Sequence, residues 1–139
     1  MADIVDVDAQ IGVVFPETAT IRNVIAAVSI EAGQGLYLTS SGTYGLADAN
    51  AANRQQIRGV ALEAAGAGQA ISMLEEGLVY GYTITGMAYD DLVYVSDTAG
   101  ALSTTVGTLT VQCGRIVPLA DADKTKVLYF SVDRLREWA

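Results

Sequence analysis

The side chains of this chain that could support catalysis are carboxylates. They fall into three groups: Glu75–Glu76, Asp90–Asp91, and Asp121 with Asp123. A pair such as Glu76 and Asp90 could serve a carboxylate-based hydrolase as general acid and base. The first two groups lie at turns between strand-like segments, where exposed charge is the ordinary outcome. Since nothing in the spacing brings Glu76 and Asp90 together, we predict that the chain is not an enzyme.

Metal and nucleophile chemistry lacks its usual residues. The chain has no His, the residue most used for proton transfer and metal binding near neutral pH. It has no Walker-type, G-x-S-x-G or C-x-x-C motif. Asp121 and Asp123 resemble part of a calcium loop, but lysines follow where further ligands should stand. The single cysteine, Cys113, lies in an apolar run, which favours a small buried side chain. We therefore predict no catalytic residue, no metal and no cofactor.

Charge limits the partners of the chain. Eight Lys and Arg stand against 16 Asp and Glu, which gives a formal net charge of -8 over 139 residues. Nucleic-acid affinity depends on phosphate contacts with clustered cations, and the basic residues here are scattered. We therefore expect no nucleic-acid partner and no binding to anionic membranes. With no secretory signal and no 18-residue apolar run, the chain should be made in the cytoplasm and stay soluble.

The elements that must position these side chains are short strands separated by glycines. Strand-type residues fill Val24–Ile30 and Leu78–Ile84, and Thr108–Gln112 alternates polar with apolar residues. The Ala-rich stretch Ala47–Gln56, with Asp48 as an N-cap, predicts a short helix or an ordered loop. Frequent short strands with glycine turns are typical of a barrel or sandwich.

A repeat organises these strands. The run Leu36–Leu46 has an apolar-aromatic-apolar start, a polar turn with Gly and a closing Leu, and Val93–Leu102 repeats it about 56 residues later. After each copy comes a second matching element, Arg58–Leu74 and Cys113–Phe130. The repeat predicts an all-β domain over residues 24–132, with two pseudo-repeated halves made of hairpins.

Both ends of the chain differ from this domain. In residues 1–23, Asp3, Asp6 and Asp8 alternate with Ile4, Val5 and Val7, and Pro16 favours an extended chain before it. The segment is either a disordered terminus or an arm that adds a strand to a partner, and its apolar content favours the arm. Residues 133–139 form a charged tail, and its Trp138 side chain should pack against an apolar surface of this domain or of a neighbouring molecule. The side chains expected to contact the partner are Ile4, Val5, Val7, Ile11, Val13, Val14 and Phe15.

The succession of motifs resembles the capsid cement, or head decoration, proteins of tailed bacteriophages. Pieces of the type G-x-x-L-Y-L-T-x-x-G, R-G-V-A-L-E-A-A-x-A-G-Q-x-I-S-M-L, E-G-x-V-x-G and V-Y-V-S-D-x-A-G-x-L follow one another, with a final return strand. In this chain they are Gly33–Gly42, Arg58–Leu74, Glu76–Gly81, Val93–Leu102 and Gly114–Val117. The resemblance covers residues 24–132.

The resemblance implies a small β-barrel or β-tulip-like subunit, commonly a homotrimer, on the outer capsid surface of the virion. It would bind the major capsid protein and brace the shell, with the arm of residues 1–23 reaching onto the capsid. The arm should then be mobile in free protein, and deleting residues 2–15 should abolish head binding while leaving the β domain folded. The alternative is a phage fibre, spike or receptor-binding module, although no fibrous repeat or coiled-coil stem is visible.

Overall fold

The computed structural model describes residues 3–4, 11–50, 54–84, 86–119 and 126–132. These residues form one sheet of eleven strands that curls into a half-barrel, which confirms the all-β, barrel-like prediction. Within these ranges, a 3-10 turn at Pro16–Thr18 interrupts the strands. The strands are β1 (Asp3–Ile4), β2 (Gly12–Val14), β3 (Thr20–Ile25), β4 (Gly35–Leu38), β5 (Tyr44–Leu46), β6 (Ile57–Ala61), β7 (Ala70–Tyr80), β8 (Leu92–Val95), β9 (Leu102–Ser103), β10 (Gln112–Pro118) and β11 (Lys126–Ser131).

The long strand β7 is the centre of the sheet. Leu74 pairs with β3 on one edge and with β6 on the other, and Val79 pairs with β2 and with β11. Glu76 pairs with both β3 and β11. Strands β2 and β3 therefore run along one edge of β7, while β6 and β11 share the opposite edge. Four apolar residues of β7, Ile71, Met73, Leu74 and Val79, are buried because their side chains pack in the apolar clusters that the curled sheet encloses.

Two half-sheets extend from β7. One has the order β7-β6-β4-β5 and the other the order β7-β11-β10-β8-β9. The predicted hairpins are confirmed: Leu36 pairs with Leu46 in β4–β5, and Val95 pairs with Leu102 in β8–β9. Within each half the strands follow the same sequence, which is hairpin, return strand and final strand.

The N-terminal segment closes both half-sheets. After β3, Ala26 forms a parallel bridge with Tyr44 of β5, which joins the ends of the first half-sheet. In the second half-sheet, β1 pairs with β9 while β2 pairs with β7. The expected boundary between residues 23 and 24 therefore falls inside β3, and the described parts of the arm belong to the same sheet as the domain. Their partner strands are distant in sequence, which is why local patterns give no sign of them.

Each half-sheet encloses its own apolar cluster. The cluster of the first half lies inside β3, β4, β5, β6 and β7, and it contains Val24, Ala26, Ile30, Leu36, Tyr44, Ala61, Ile71 and Met73. The larger cluster of the second half takes residues from β1 and from β6 to β11, among them Ile4, Val93, Cys113, Ile116 and Phe130. Leu74 and Val60 face the larger cluster, so β6 and β7 supply both.

Three local predictions were wrong at their boundaries or in type. The strand expected at Val24–Ile30 begins at Thr20 and ends at Ile25, since the chain then leaves β7 for β5. The strand expected at Leu78–Ile84 is the end of β7, which stops at Tyr80. Most of Thr108–Gln112 lies outside any strand. There the Asp97 carboxylate accepts hydrogen bonds from the Thr108 N–H (2.8 Å) and hydroxyl (2.9 Å), and such side-chain bonds compete with sheet pairing.

The Ala-rich stretch is an ordered loop in its described part, residues 47–50 and 54–56. Ala47 and Ala49 are buried in the larger cluster. The Asp48 carboxylate accepts a hydrogen bond from the Asn50 N–H at 2.8 Å, which forms a turn in place of an N-cap. The alanines are therefore core contacts, and their small size allows the loop to lie against the sheet.

Candidate functional site

The carboxylates considered for catalysis lie on separate elements. Asp90 is an exposed turn residue at φ 69°, and its carboxylate lies 3.3 Å from Arg115. Glu76 is exposed on β7, opposite Ser131. Asp121 and Asp123 lie outside the described residues. Within the described ranges, no three His, Cys, Asp or Glu side chains are grouped closely enough to hold a metal ion.

Cys113 is buried, with 1% of its surface exposed. Its thiol donates to the Val93 carbonyl oxygen at 3.6 Å. Burial raises the pKa of the Cys113 thiol far above its ordinary value, because a thiolate would lose its hydration in the apolar cluster. The thiol is therefore a core contact, as the sequence predicts.

The apolar residues expected to contact a partner have different environments. Ile4 is 7% exposed and packs in the larger cluster. Ile11 and Val13 are partly buried against the same cluster, and Val14 is also partly buried. Phe15 is 50% exposed. Val5, Val7 and Trp138 lie outside the described residues. In this conformation Phe15 can meet a partner directly, whereas Ile4 could do so only if β1 left β9.

Phe15 is held outward by an unusual backbone. Its φ of 57° and ψ of 68° lie in the left-handed region, which bulky residues rarely adopt and which costs about 1–3 kcal/mol. The carbonyl oxygen of Phe15 accepts from both the N–H and the hydroxyl of Thr18 at 3.1 Å. This turn between β2 and β3 keeps a large apolar side chain in solvent. Strain of this kind concentrates at functional sites.

The strand that follows the Phe15 turn, β3, has an open outer edge. Just after β3, the Ala26 N–H donates to the Gln69 carbonyl oxygen on the β7 side of the chain. The Ala27 N–H donates to the Tyr44 carbonyl oxygen on the opposite, outer side. Because strand residues alternate in direction, Ile21 and Asn23 direct their N–H and C=O groups to the outer side. In the part of the chain that the structure describes, no strand pairs with them there. We call Phe15 together with Thr20–Val24 the docking edge.

The docking edge has little protection against strand addition. Natural edge strands are commonly protected by prolines, lysines or other charges. Thr20–Val24 carries one charge, Arg22, whose guanidinium lies 3.6 Å from the buried carboxylate of Glu75. Ile21 remains 41% exposed. The edge thus offers backbone hydrogen-bonding groups next to exposed apolar side chains, which is the arrangement that takes up an extended segment of another protein.

Sequence reasoning missed the β3 part of this edge. The run Thr20–Ile25 is rich in β-branched residues, and this composition could have predicted a strand. It could not have shown that the strand lies at an edge, because that depends on the pairing with β7.

Comparison with protein-family models, with curated proteins and with solved structures finds no match for this chain. In the described ranges, no helix has the length and apolar character that a membrane crossing requires.

Proposed function

We propose that this chain is a structural virion protein that binds the outer surface of a phage capsid and cements the lattice of the major capsid protein. The observation that supports it most directly is the docking edge, in which an exposed Phe15 is followed along the chain by the open side of β3. An extended segment of the major capsid protein would pair with Ile21 and Asn23, and Phe15 would enter a shallow pocket on the shell.

The sequence resemblance supports the same function. The pieces that resemble cement proteins coincide with structural elements: Gly33–Gly42 contains β4 and its turn, and Arg58–Leu74 contains β6 and the first half of β7. Val93–Leu102 spans the second hairpin. The resemblance therefore concerns the framework that holds the docking edge in place, while the edge itself precedes these motifs in the chain.

Self-association belongs to the proposal. A short strand and one aromatic side chain would give each copy only a weak affinity for the capsid. A homotrimer would raise the overall affinity by avidity. Exposed apolar residues such as Val28 and Tyr89 supply surface that neighbouring copies could cover. The protein would be made in the host cytoplasm and added to the outside of the shell. Sedimentation equilibrium of the free protein tests whether the trimer exists before binding.

Co-sedimentation with purified heads of the phage that encodes the chain tests the function. We expect saturation at many copies per head, because a cement protein covers repeated lattice sites. Ile21→Lys, which places a charge on the docking edge, should weaken binding by about tenfold or more. Val106→Lys is the matched control, since Val106 is similarly exposed (48%) outside the edge.

Two results would contradict this proposal. Saturation at only a few copies would favour the fibre or spike alternative. Binding of Ile21→Lys and Phe15→Ala at the occupancy of the unmodified chain would exclude the docking edge as the capsid contact.

A further inference from the structure

A second candidate site lies in the first half-sheet, at the β4–β5 hairpin. It is a cleft of about 550 Å³ lined by Tyr37, Leu38, Thr39, Ser40, Gln56 and Arg58. This volume is within the range of small-molecule sites, about 300–1,000 Å³. The lining combines an aromatic ring, two hydroxyl groups, an amide and a guanidinium.

Two features of the backbone place the ring and the guanidinium there. Leu36 pairs with Gly59 and Tyr37 pairs with Ile57, so Arg58 is the extra residue of a β-bulge, and bulges redirect side chains. On β5, a Cβ atom at Gly45 would lie 2.9 Å from Cε1 of Tyr37. The absence of a side chain at Gly45 therefore gives the Tyr37 ring its place over β5.

Arg58 differs from the other arginines of the sheet. Arg22 is near Glu75, and Arg115 is near Asp90. Among the described residues, the guanidinium of Arg58 has no carboxylate partner, and it donates only to the adjacent Ile57 carbonyl oxygen at 3.3 Å. Its planar fork is available to an external carboxylate.

We propose that this cleft binds a carboxylate-bearing sugar. Arg58 pairs with the carboxylate, the Tyr37 ring supports the apolar face of the sugar, and Ser40 exchanges hydrogen bonds with its hydroxyl groups. A peptide fits less well, because β4 is paired on both edges, with β5 and β6. It therefore has no open edge for a peptide backbone. This site does not depend on capsid binding.

Titration of the ¹⁵N-labelled protein with glucuronic acid, followed by NMR, tests the proposal, with glucose as the neutral control. We expect glucuronic acid to bind with a Kd on the order of 1 mM, as a shallow site with few anchors gives. The shifted amides should be those of Tyr37, Thr39 and Arg58, and glucose should bind far more weakly.

Arg58→Met keeps the length of the side chain and removes its charge, so the affinity for glucuronic acid should fall about tenfold or more. Arg58→Lys should give an intermediate loss, because it keeps the charge without the fork. Arg54→Met is the matched control, since Arg54 is an exposed arginine outside the cleft, and it should bind as the unmodified chain does.

Several results would overturn this assignment. They are equal binding of glucose and glucuronic acid, unchanged binding by Arg58→Met, or shifts that map outside the cleft. An acidic peptide that shifts the same amides in a titration where glucuronic acid shifts none would assign the cleft to a protein partner instead.

Discussion

The half-sheet that contains β4 and the one that contains β8 have a β-bulge at the same place. In the first, Leu36 pairs with Gly59 and Tyr37 with Ile57, which leaves Arg58 unpaired. In the second, Val93 pairs with Gly114 and Tyr94 with Gln112, which leaves Cys113 unpaired. Arg58 and Cys113 are therefore equivalent positions of the two halves.

The glycine after each bulge is also equivalent in its role. A Cβ atom on Gly59 would lie 2.4 Å from Cγ of Met73 on β7, and one on Gly114 would lie 2.4 Å from the Tyr129 carbonyl oxygen on β11. In both halves a residue without a side chain lets the next strand approach closely. The duplicated sequence pattern thus corresponds to a duplicated backbone arrangement.

The two bulges differ in their surroundings. Cys113 points into the larger apolar cluster, whereas Arg58 faces an open cleft. The comparison shows that the backbone arrangement is independent of the side chain placed on it. The same bulge can serve packing in one half and leave a cation available for binding in the other.

Exchanging the two bulge residues should have the largest effect. Cys113→Arg would bury a charge without a partner, and we expect it to lower the free energy of unfolding by about 3–5 kcal/mol or to prevent folding. Arg58→Cys changes a partly exposed side chain, so its effect should stay below about 1 kcal/mol. Urea denaturation measures both. Similar losses in the two variants would show that the bulges have equivalent surroundings.

Adding a methyl group to the two glycines should sharpen the comparison. Gly114→Ala would press against a backbone oxygen, and we expect a loss of about 3 kcal/mol. Gly59→Ala should lose about 2 kcal/mol, because the flexible Met73 side chain can move, while the Leu74 carbonyl oxygen lies 2.8 Å from the added Cβ and presses less closely than the Tyr129 oxygen does at Gly114. Gly86→Ala is the control, since its Cβ would have no atom within 4 Å. A smaller loss for Gly114→Ala than for Gly59→Ala in thermal unfolding would contradict this reading.

A substitution at Ile4 tests whether the two half-sheets are closed independently, because among the described strands β1 pairs only with β9 of the second half-sheet. Ile4→Ala removes a buried side chain, so we expect a loss of about 2–3 kcal/mol and faster hydrogen exchange in β9. The Ala27 amide, which donates to Tyr44 in the other half, should keep its protection. Exposed Ile21 is the control, and Ile21→Ala should change stability by less than about 0.5 kcal/mol.

For the same reason, deletion of residues 2–15 should destabilise the sheet, in contrast to the expectation from sequence. Unchanged stability of this truncated chain would show that β1 and β2 are dispensable for the fold.

The smallest expected effect is a pH dependence of the free energy of unfolding that arises from Cys113 in the second half. An unfolded thiol ionises near its ordinary value of 9.0, while burial keeps the folded Cys113 protonated. Because the pKa of Cys113 is higher in the folded chain than in the unfolded chain, the contribution of this residue to stability is complete below pH 9. Above pH 9 the free energy of unfolding falls by about 1.4 kcal/mol per pH unit. Comparing unfolding of the unmodified chain and Cys113→Ala from pH 8 to 10 isolates this contribution. Parallel curves for the two proteins would refute it.

Local patterns predicted the two hairpins because a hairpin is formed by residues close in sequence. Leu36–Leu46 and Val93–Leu102 contain their own strands and turns, and both are formed as expected. The strand predicted at Thr108–Gln112 is mostly not formed, because the Thr108 N–H bonds to the carboxylate of Asp97, eleven residues away, in place of a partner strand. Local patterns predict residues 1–23 as a separate arm because the strands that pair with this segment, β7 and β9, lie far along the chain.

The sequence by itself determined the all-β class, the duplication, the burial of Cys113 and the acidic charge. Each of these follows from residue type, alternation and short-range turns. Only the tertiary structure decided that β3 is an edge, that Phe15 is exposed while Ile4 is buried, and that Arg58 faces a cleft. The first two features depend on pairing between residues about 45 or more positions apart, and the third depends on the pairing of Tyr37 with Ile57, 20 positions away. The free energy of such pairing comes from packing that no local pattern records.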